Sequence, residues 1–120
     1  TLACQIEDEK FFLNKNVVKV TTKEELHQNN LSIATSFTRE IKNTQKNIYH
    51  HIGIYIYNVS YLEKFVQLEQ TQNEKSQKLE QLRLMDKNNE IDVGLAKTKP
   101  IGVDTDEDYL EIKKIMEYKN

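Results

Sequence analysis

The apolar residues fall in short clusters whose spacing selects an element, and no run is long enough to cross a membrane. Leu2-Ala3-Cys4 opens as a short apolar strand. Phe11, Phe12 and Leu13 form an island in the polar stretch 8–16. Asn16-Val17-Val18-Lys19-Val20 is β-branched with polar borders and predicts a strand. Residues 21–30 read as a polar connection with a helical turn over Lys23–Leu26. Leu31 to Phe37 alternates partly (Leu31, Ile33, Ser36, Phe37) and predicts another strand, before the polar, turn-like segment Arg39–Asn47. The clearest alternation is Ile52-Gly53-Ile54-Tyr55-Ile56-Tyr57, which follows His50 and His51. It predicts a strand with the isoleucines on one face and Tyr55 and Tyr57 on the other, where Gly53 leaves room for a close approach.

Helical spacing takes over downstream. Ser60 is placed to cap a short helix through Tyr61, Leu62, Phe65 and Val66. Glu74 to Met85 carries Leu79, Leu82 and Met85 at helical intervals and predicts a single helix. Ile91 to Leu95 reads as a strand, and Pro100 to Thr105 as a tight turn. Thr105 caps a last helix whose first turn holds Asp106, Glu107 and Asp108, with Leu110, Ile112, Ile115 and Met116 as its expected buried face. Strands interspersed with helices give an α/β or α+β class.

Composition narrows the function classes. A chain of 120 residues is one domain at most, and a net charge of −2 supplies no basic field for nucleic acid. One cysteine, Cys4, excludes an internal disulfide framework and reads as a small buried hydrophobe. Lysine dominates the 17 basic residues; Arg39 and Arg83 are the exceptions, notable because only arginine offers a flat bidentate fork.

Four groupings could carry chemistry. His50-His51 lacks the further ligands of a zinc site, His27 being the other histidine, so the pair reads as a polar strand start or, with Tyr55, as a cleft wall. In Leu79-Glu80-Gln81-Leu82-Arg83, Glu80 and Arg83 stand at i, i+3, where a solvated ion pair is the plain reading. Ser36-Phe37-Thr38-Arg39 ends a strand with an arginine that is either a surface residue or an anion clamp. In Gly102-Val103-Asp104-Thr105-Asp106-Glu107-Asp108, the last three acids suit a helix dipole. Asp104 stands apart in the turn, a hard oxygen ligand suited to Mg²⁺. No GxSxG, Walker or GxGxxG motif is present.

Taken in order, these segments resemble the C-terminal half of the 3-deoxy-manno-octulosonate (Kdo) cytidylyltransferases, or CMP-Kdo synthetases. Thr1-Leu2-Ala3 and Asn16 to Val20 are similar to the family's "TLA … NVVKV", and Ser36 to Arg39 to its "YFSR". His51 to Tyr57 resembles "HIGIYAYR", with Asn58 in place of the arginine. Leu79 to Arg83 matches "LEQLR", and Ile101 to Asp108 matches "IGVDTPED" with Asp106 replacing proline. The resemblance implies an α/β fold: the C-terminal portion of a nucleotide-diphospho-sugar-transferase-like (Rossmann-like) mixed sheet with flanking helices. It implies transfer of CMP from CTP to Kdo with release of pyrophosphate, for lipopolysaccharide synthesis in the cytoplasm. It also implies Mg²⁺, a homodimer joined between the Tyr strand and the LEQLR helix, and neither nucleic acid nor membrane as partner. Asp104 would be a metal ligand. Arg39, His51, Tyr55, Glu80 and Gln81 would bind substrate, with Thr38 and Arg83 in support, Arg83 by orienting Glu80.

There are departures. The family's N-terminal half, with its nucleotide loop and second metal-binding aspartate, has no counterpart among residues 1–120. The "PSPLE" loop appears as Gln70-Thr71-Gln72-Asn73-Glu74, and Gln77 stands where Glu is usual. The expectation is therefore a sugar-binding and dimerising portion, inactive by itself. The alternatives are a cytidylyltransferase for another acidic sugar of the sialic acid type, and a non-catalytic dimerising remnant.

Overall fold

A computed structural model of the chain describes residues 1–41, 46–98 and 101–118; part of the expected 39–47 turn and Pro100 lie outside them. Five strands, β1 (Leu2–Cys4), β2 (Lys19–Thr22), β3 (Leu31–Thr38), β4 (Ile48–Ile52) and β5 (Asp92–Leu95), close on themselves in the order β1-β4-β2-β3-β5. The sheet is mixed: β1 and β5 run parallel, and every other pairing is antiparallel. Around it lie α1 (Lys10–Leu13), α2 (Val59–Gln67), α3 (Gln72–Gln77), α4 (Leu82–Met85) and α5 (Asp106–Glu117). The architecture is thus a mixed α/β fold.

The core runs from the sheet (Ala3, Val20, Ala34, Phe37, Tyr49, Val93) to Phe65 of α2 and to Leu79, Leu82 and Leu84 around α4. Cys4 is buried, as expected. On β3 the inward residues are Ser32, Ala34 and Phe37 rather than the Leu31–Ile33 set. The register shifts where Thr21 faces Ser36 and Thr22 faces Ala34, and such a bulge exchanges the two faces of a strand. Residues 23–26 form no helical turn; instead the Leu26 N–H donates to the Tyr49 hydroxyl at 2.8 Å, which holds Leu26 in the core.

The expected strand over 52–57 is corrected to Ile48–Ile52. Pairing with β1 ends at Ile52, opposite Leu2, so the following residues have no ladder to join. The Ile54 N–H turns back to the Ile52 carbonyl at 2.7 Å, a three-residue turn that leads the chain off the sheet. The alternation survives without the strand: Ile54 and Ile56 point outward while Tyr55 and Tyr57 are half-buried.

Three helical expectations also change. The cap of α2 is Asn58, whose side chain accepts the Ser60 N–H, because Ser60 already lies inside the helix. The expected 74–85 helix is two short helices, interrupted where Lys78 adopts a left-handed φ of 54°. α5 forms with its Thr105–Asp108 capping box, yet no residue of it is buried, and Leu110 and Met116 are 54% and 66% exposed. Of the expected buried face, Ile112 and Ile115 are half-buried and none is fully buried.

Candidate functional site

β4 sets the site because its neighbouring residues point to opposite sides. His50 stacks on Phe11, with ring centroids 6.2 Å apart. His51 turns inward, edge-on to Phe37 at 5.0 Å and tilted against Tyr55 at 5.6 Å. Nε2 of His51 lies 2.9 Å from Oγ1 of Thr1, which is also 2.7 Å from the Ile54 carbonyl. A hydroxyl has one proton, and donating it to the nearer carbonyl assigns the Nε2–H to His51 as donor. Burial above all, then the positive charges of the Thr1 ammonium and His50, lowers the His51 pKa to about 4. At neutral pH this imidazole offers hydrogen bonds and no charge.

From His51 a line of rings crosses the molecule. Tyr55 and Tyr57 lie 6.0 Å apart, Tyr57 stacks on Phe65 at 6.0 Å, and the Arg83 guanidinium sits 4.7 Å over Phe65. Inside this line the Tyr55 hydroxyl is buried and has no hydrogen-bond partner among the described residues. Burial first, then Tyr57 and the charge of Glu80, raises its pKa, so it stays a neutral phenol. A buried hydroxyl without a partner costs about 1–3 kcal/mol.

The other residues singled out by sequence divide into those committed to the scaffold and those left open. Arg39 donates to three carbonyls, those of Gln77 (3.1 Å), Lys15 (3.1 Å) and Lys78 (3.3 Å), so it holds the turn that leads to Glu80 and Gln81. Thr38 donates to the Glu40 carbonyl at 2.7 Å. Glu80 is exposed and lies 3.6 Å from Nη2 of Arg83, whereas Gln81 is buried. The main partner of Arg83 is Glu74, a residue the spacing argument did not single out. Its carboxylate accepts from Nε at 2.8 Å and from Nη2 at 2.6 Å.

Lys19 was equally unmarked. It is fully buried in β2, and Nζ donates to the carbonyls of Asn14 (2.9 Å), Val17 (2.7 Å) and Arg39 (2.6 Å). Desolvation, and then the charge of Arg39, lowers its pKa. A polar interruption of the β-branched run 17–20 was the available signal. For Glu74 the signal was the Thr71-x-x-Glu74 capping box, which the structure contains.

Asp104 shares with His51 a cleft of about 1050 Å³ between β4, α1 and the start of α5. Asp108, on the same wall, is occupied: one of its oxygens accepts from the N–H groups of Asp104 and Thr105 and from the Thr105 hydroxyl, which holds its carboxyl below the usual range. Among the described residues, no three His, Cys, Asp or Glu side chains converge as a metal cluster. One open carboxylate nevertheless fits Mg²⁺, which usually takes one or two protein carboxylates and completes its shell with water and phosphate oxygens.

The structure therefore brings His51 and Tyr55 into contact, aligns Glu80 and Arg83 at the far end of the rings, and sets Asp104 on the adjoining cleft. As a class this is a mixed α/β protein with a run of aromatic side chains, ending at Arg83, beside a carboxylate-bearing cleft. A solved structure of CMP:2-keto-3-deoxy-manno-octonic acid synthetase complexed with CTP matches all of this chain and 49% of its own, with TM-score 0.80 and 25% identity.

Curated relatives agree. The 3-deoxy-manno-octulosonate cytidylyltransferase of Bartonella tribocorum is 43% identical over 117 residues, covering 97% of this chain and 47% of the relative. That of Brucella anthropi is 43% identical over 109 residues, covering 90% of this chain and 43% of the relative. No family model matches. The chain is homologous to CMP-Kdo synthetases along nearly its whole length, and it spans about half the length of the curated relatives it matches.

Proposed function

We propose that these residues form the sugar-binding portion of a cytidylyltransferase that moves CMP from CTP to Kdo and releases pyrophosphate. In this reading the fold is part of a Rossmann-like, nucleotide-diphospho-sugar-transferase-like sheet, and the protein works in the cytoplasm toward lipopolysaccharide. The observation that carries it is the Tyr55 hydroxyl, buried and unpartnered between His51 and Glu80. Kdo is a polyhydroxylated acid, and such a pocket matches it with donors and acceptors rather than with apolar walls alone.

Each residue then has a task. His51 and Tyr55 hydrogen-bond sugar oxygens without adding charge. Glu80 and Gln81 bracket the opposite side and accept or donate to hydroxyls. Arg39 holds the turn that presents them through its three carbonyl contacts. When bound, Mg²⁺ supplies charge neutralisation at the phosphates, and Asp104 is the residue that would hold it. The attack of the sugar's anomeric oxygen on the α-phosphate needs a triphosphate grip, which we assign to a segment outside these 120 residues. The isolated chain is accordingly a binding unit without turnover. The exposed Val59 and Val66, seven residues apart on α2, support a second copy as partner.

Calorimetric titration of Kdo into the chain tests the reading. Saturable binding is expected, weakened about fivefold by Tyr55→Phe, because one neutral hydrogen bond is worth about 1 kcal/mol. Pyrophosphate release from CTP and Kdo by the chain alone would refute the assignment of a binding unit without turnover. A sialic acid bound more tightly than Kdo would move the reading to the related acidic-sugar class.

A further inference from the structure

Glu74 does not line the cleft that holds Asp104, yet it clamps Arg83 at the far end of the line of rings. The Glu74 side chain on α3 is 5% exposed and that of Arg83 on α4 is 12% exposed. Two nearly parallel bonds, Nε to Oε2 at 2.8 Å and Nη2 to Oε1 at 2.6 Å, fix the plane of the guanidinium. The carboxylate is itself held by the Gln70 side-chain amide at 3.2 Å and the Thr71 N–H at 3.3 Å. The clamped guanidinium covers Phe65 at 4.7 Å, and Phe65 stacks on Tyr57, which neighbours Tyr55. The same Nη2 lies 3.6 Å from Oε1 of Glu80.

Resting on the sugar-pocket reading, we propose that Glu74 is a positioning residue. By clamping Arg83 it sets the Phe65–Tyr57–Tyr55 rings and the Glu80 carboxylate at the spacing a polyhydroxylated acid requires. Glu74 acts through Arg83 and does not meet the ligand. A pair that served only the fold could be exchanged for apolar residues of similar volume with little loss of stability, whereas a positioning pair could not be exchanged without loss of binding.

The test is the double variant Glu74→Leu with Arg83→Met, compared with the parent chain in a calorimetric Kdo titration. Circular dichroism accompanies it, since six tyrosines and no tryptophan make the near-ultraviolet band a tyrosine signal. The double variant is expected to keep its far-ultraviolet spectrum, lose much of the tyrosine band, and bind at least tenfold more weakly. Arg83→Lys keeps the charge and loses the planar fork; its expected effect is in the same direction, and it serves if the double variant does not fold. Binding within twofold of the parent in a folded variant overturns the positioning role alone. A parent chain that does not bind Kdo overturns the pocket reading beneath it.

Discussion

A histidine buried without a carboxylate beside it stores a pH dependence. Unfolded, His51 takes a proton near pH 6.5; folded, burial lowers that value to about 4. Between the two, the unfolded chain binds the proton and the folded chain does not, so stability falls as the pH drops from 6.5 to 4 and His51 adds no further loss below that. The span corresponds to on the order of 3 kcal/mol. Urea unfolding at pH 7 and pH 4.5 should show this loss in the parent and a clearly smaller one in His51→Gln; equal losses would show that other groups dominate. Of the residues singled out by sequence, the structure brings His51 and Tyr55 into contact, sets Glu80 beside Arg83 and places Asp104 on the cleft that also holds His51. Lys19 and Glu74 were not, because their importance lies in contacts formed only on folding: three carbonyls gathered from 14, 17 and 39, and a guanidinium nine positions away. Arg39 drew notice for its flat fork, and the structure spends that fork on carbonyls.

Elements were legible where local chemistry decides them. Thr105 caps α5 with Asp108 three residues on, as its spacing predicts, whereas the matching Thr71–Glu74 box, which starts α3 two residues before the expected helix, went unread. Boundaries failed where partners decide. The Ile–Tyr alternation is real, but strand β4 stops where β1 stops, and an inward–outward pattern alone does not supply a ladder. Left-handed backbone was hidden too. No glycine among the described residues has positive φ; Asn29, Asn47, Asn88 and Lys78 take those positions, and asparagine tolerates them best after glycine. A chain poor in glycine and rich in asparagine thus turns its corners with asparagine. The outward side of the same region leaves Ile56 89% exposed, Val59 73% and Val66 62%, the last two a helical stripe seven residues apart on α2. Such a stripe fits a second copy of the chain. Sedimentation equilibrium should give a dimer for the parent and a monomer for Ile56→Lys with an unchanged far-ultraviolet spectrum. A monomeric parent at 100 μM, a concentration on the order of that at which moderately weak dimers persist, would contradict the assignment.

At the scale of the whole molecule, the fold joins two regions by one strand and one run of rings. β4 delivers His51 to the cleft that holds Asp104, and the residues just beyond it deliver Tyr55 and Tyr57 toward Arg83 and Glu80. The length of 120 residues first read as one small domain; the curated relatives it matches are about twice as long. The central claim is that Kdo binds along the rings between His51 and Glu80. A two-dimensional ¹H–¹⁵N spectrum of the labelled chain, recorded as Kdo is added, tests it most directly. Saturating shifts are expected at His51, Tyr55, Tyr57, Glu80 and Gln81, with α5 unmoved beyond Asp108. Shifts confined to other surfaces, or none at millimolar sugar, would contradict it.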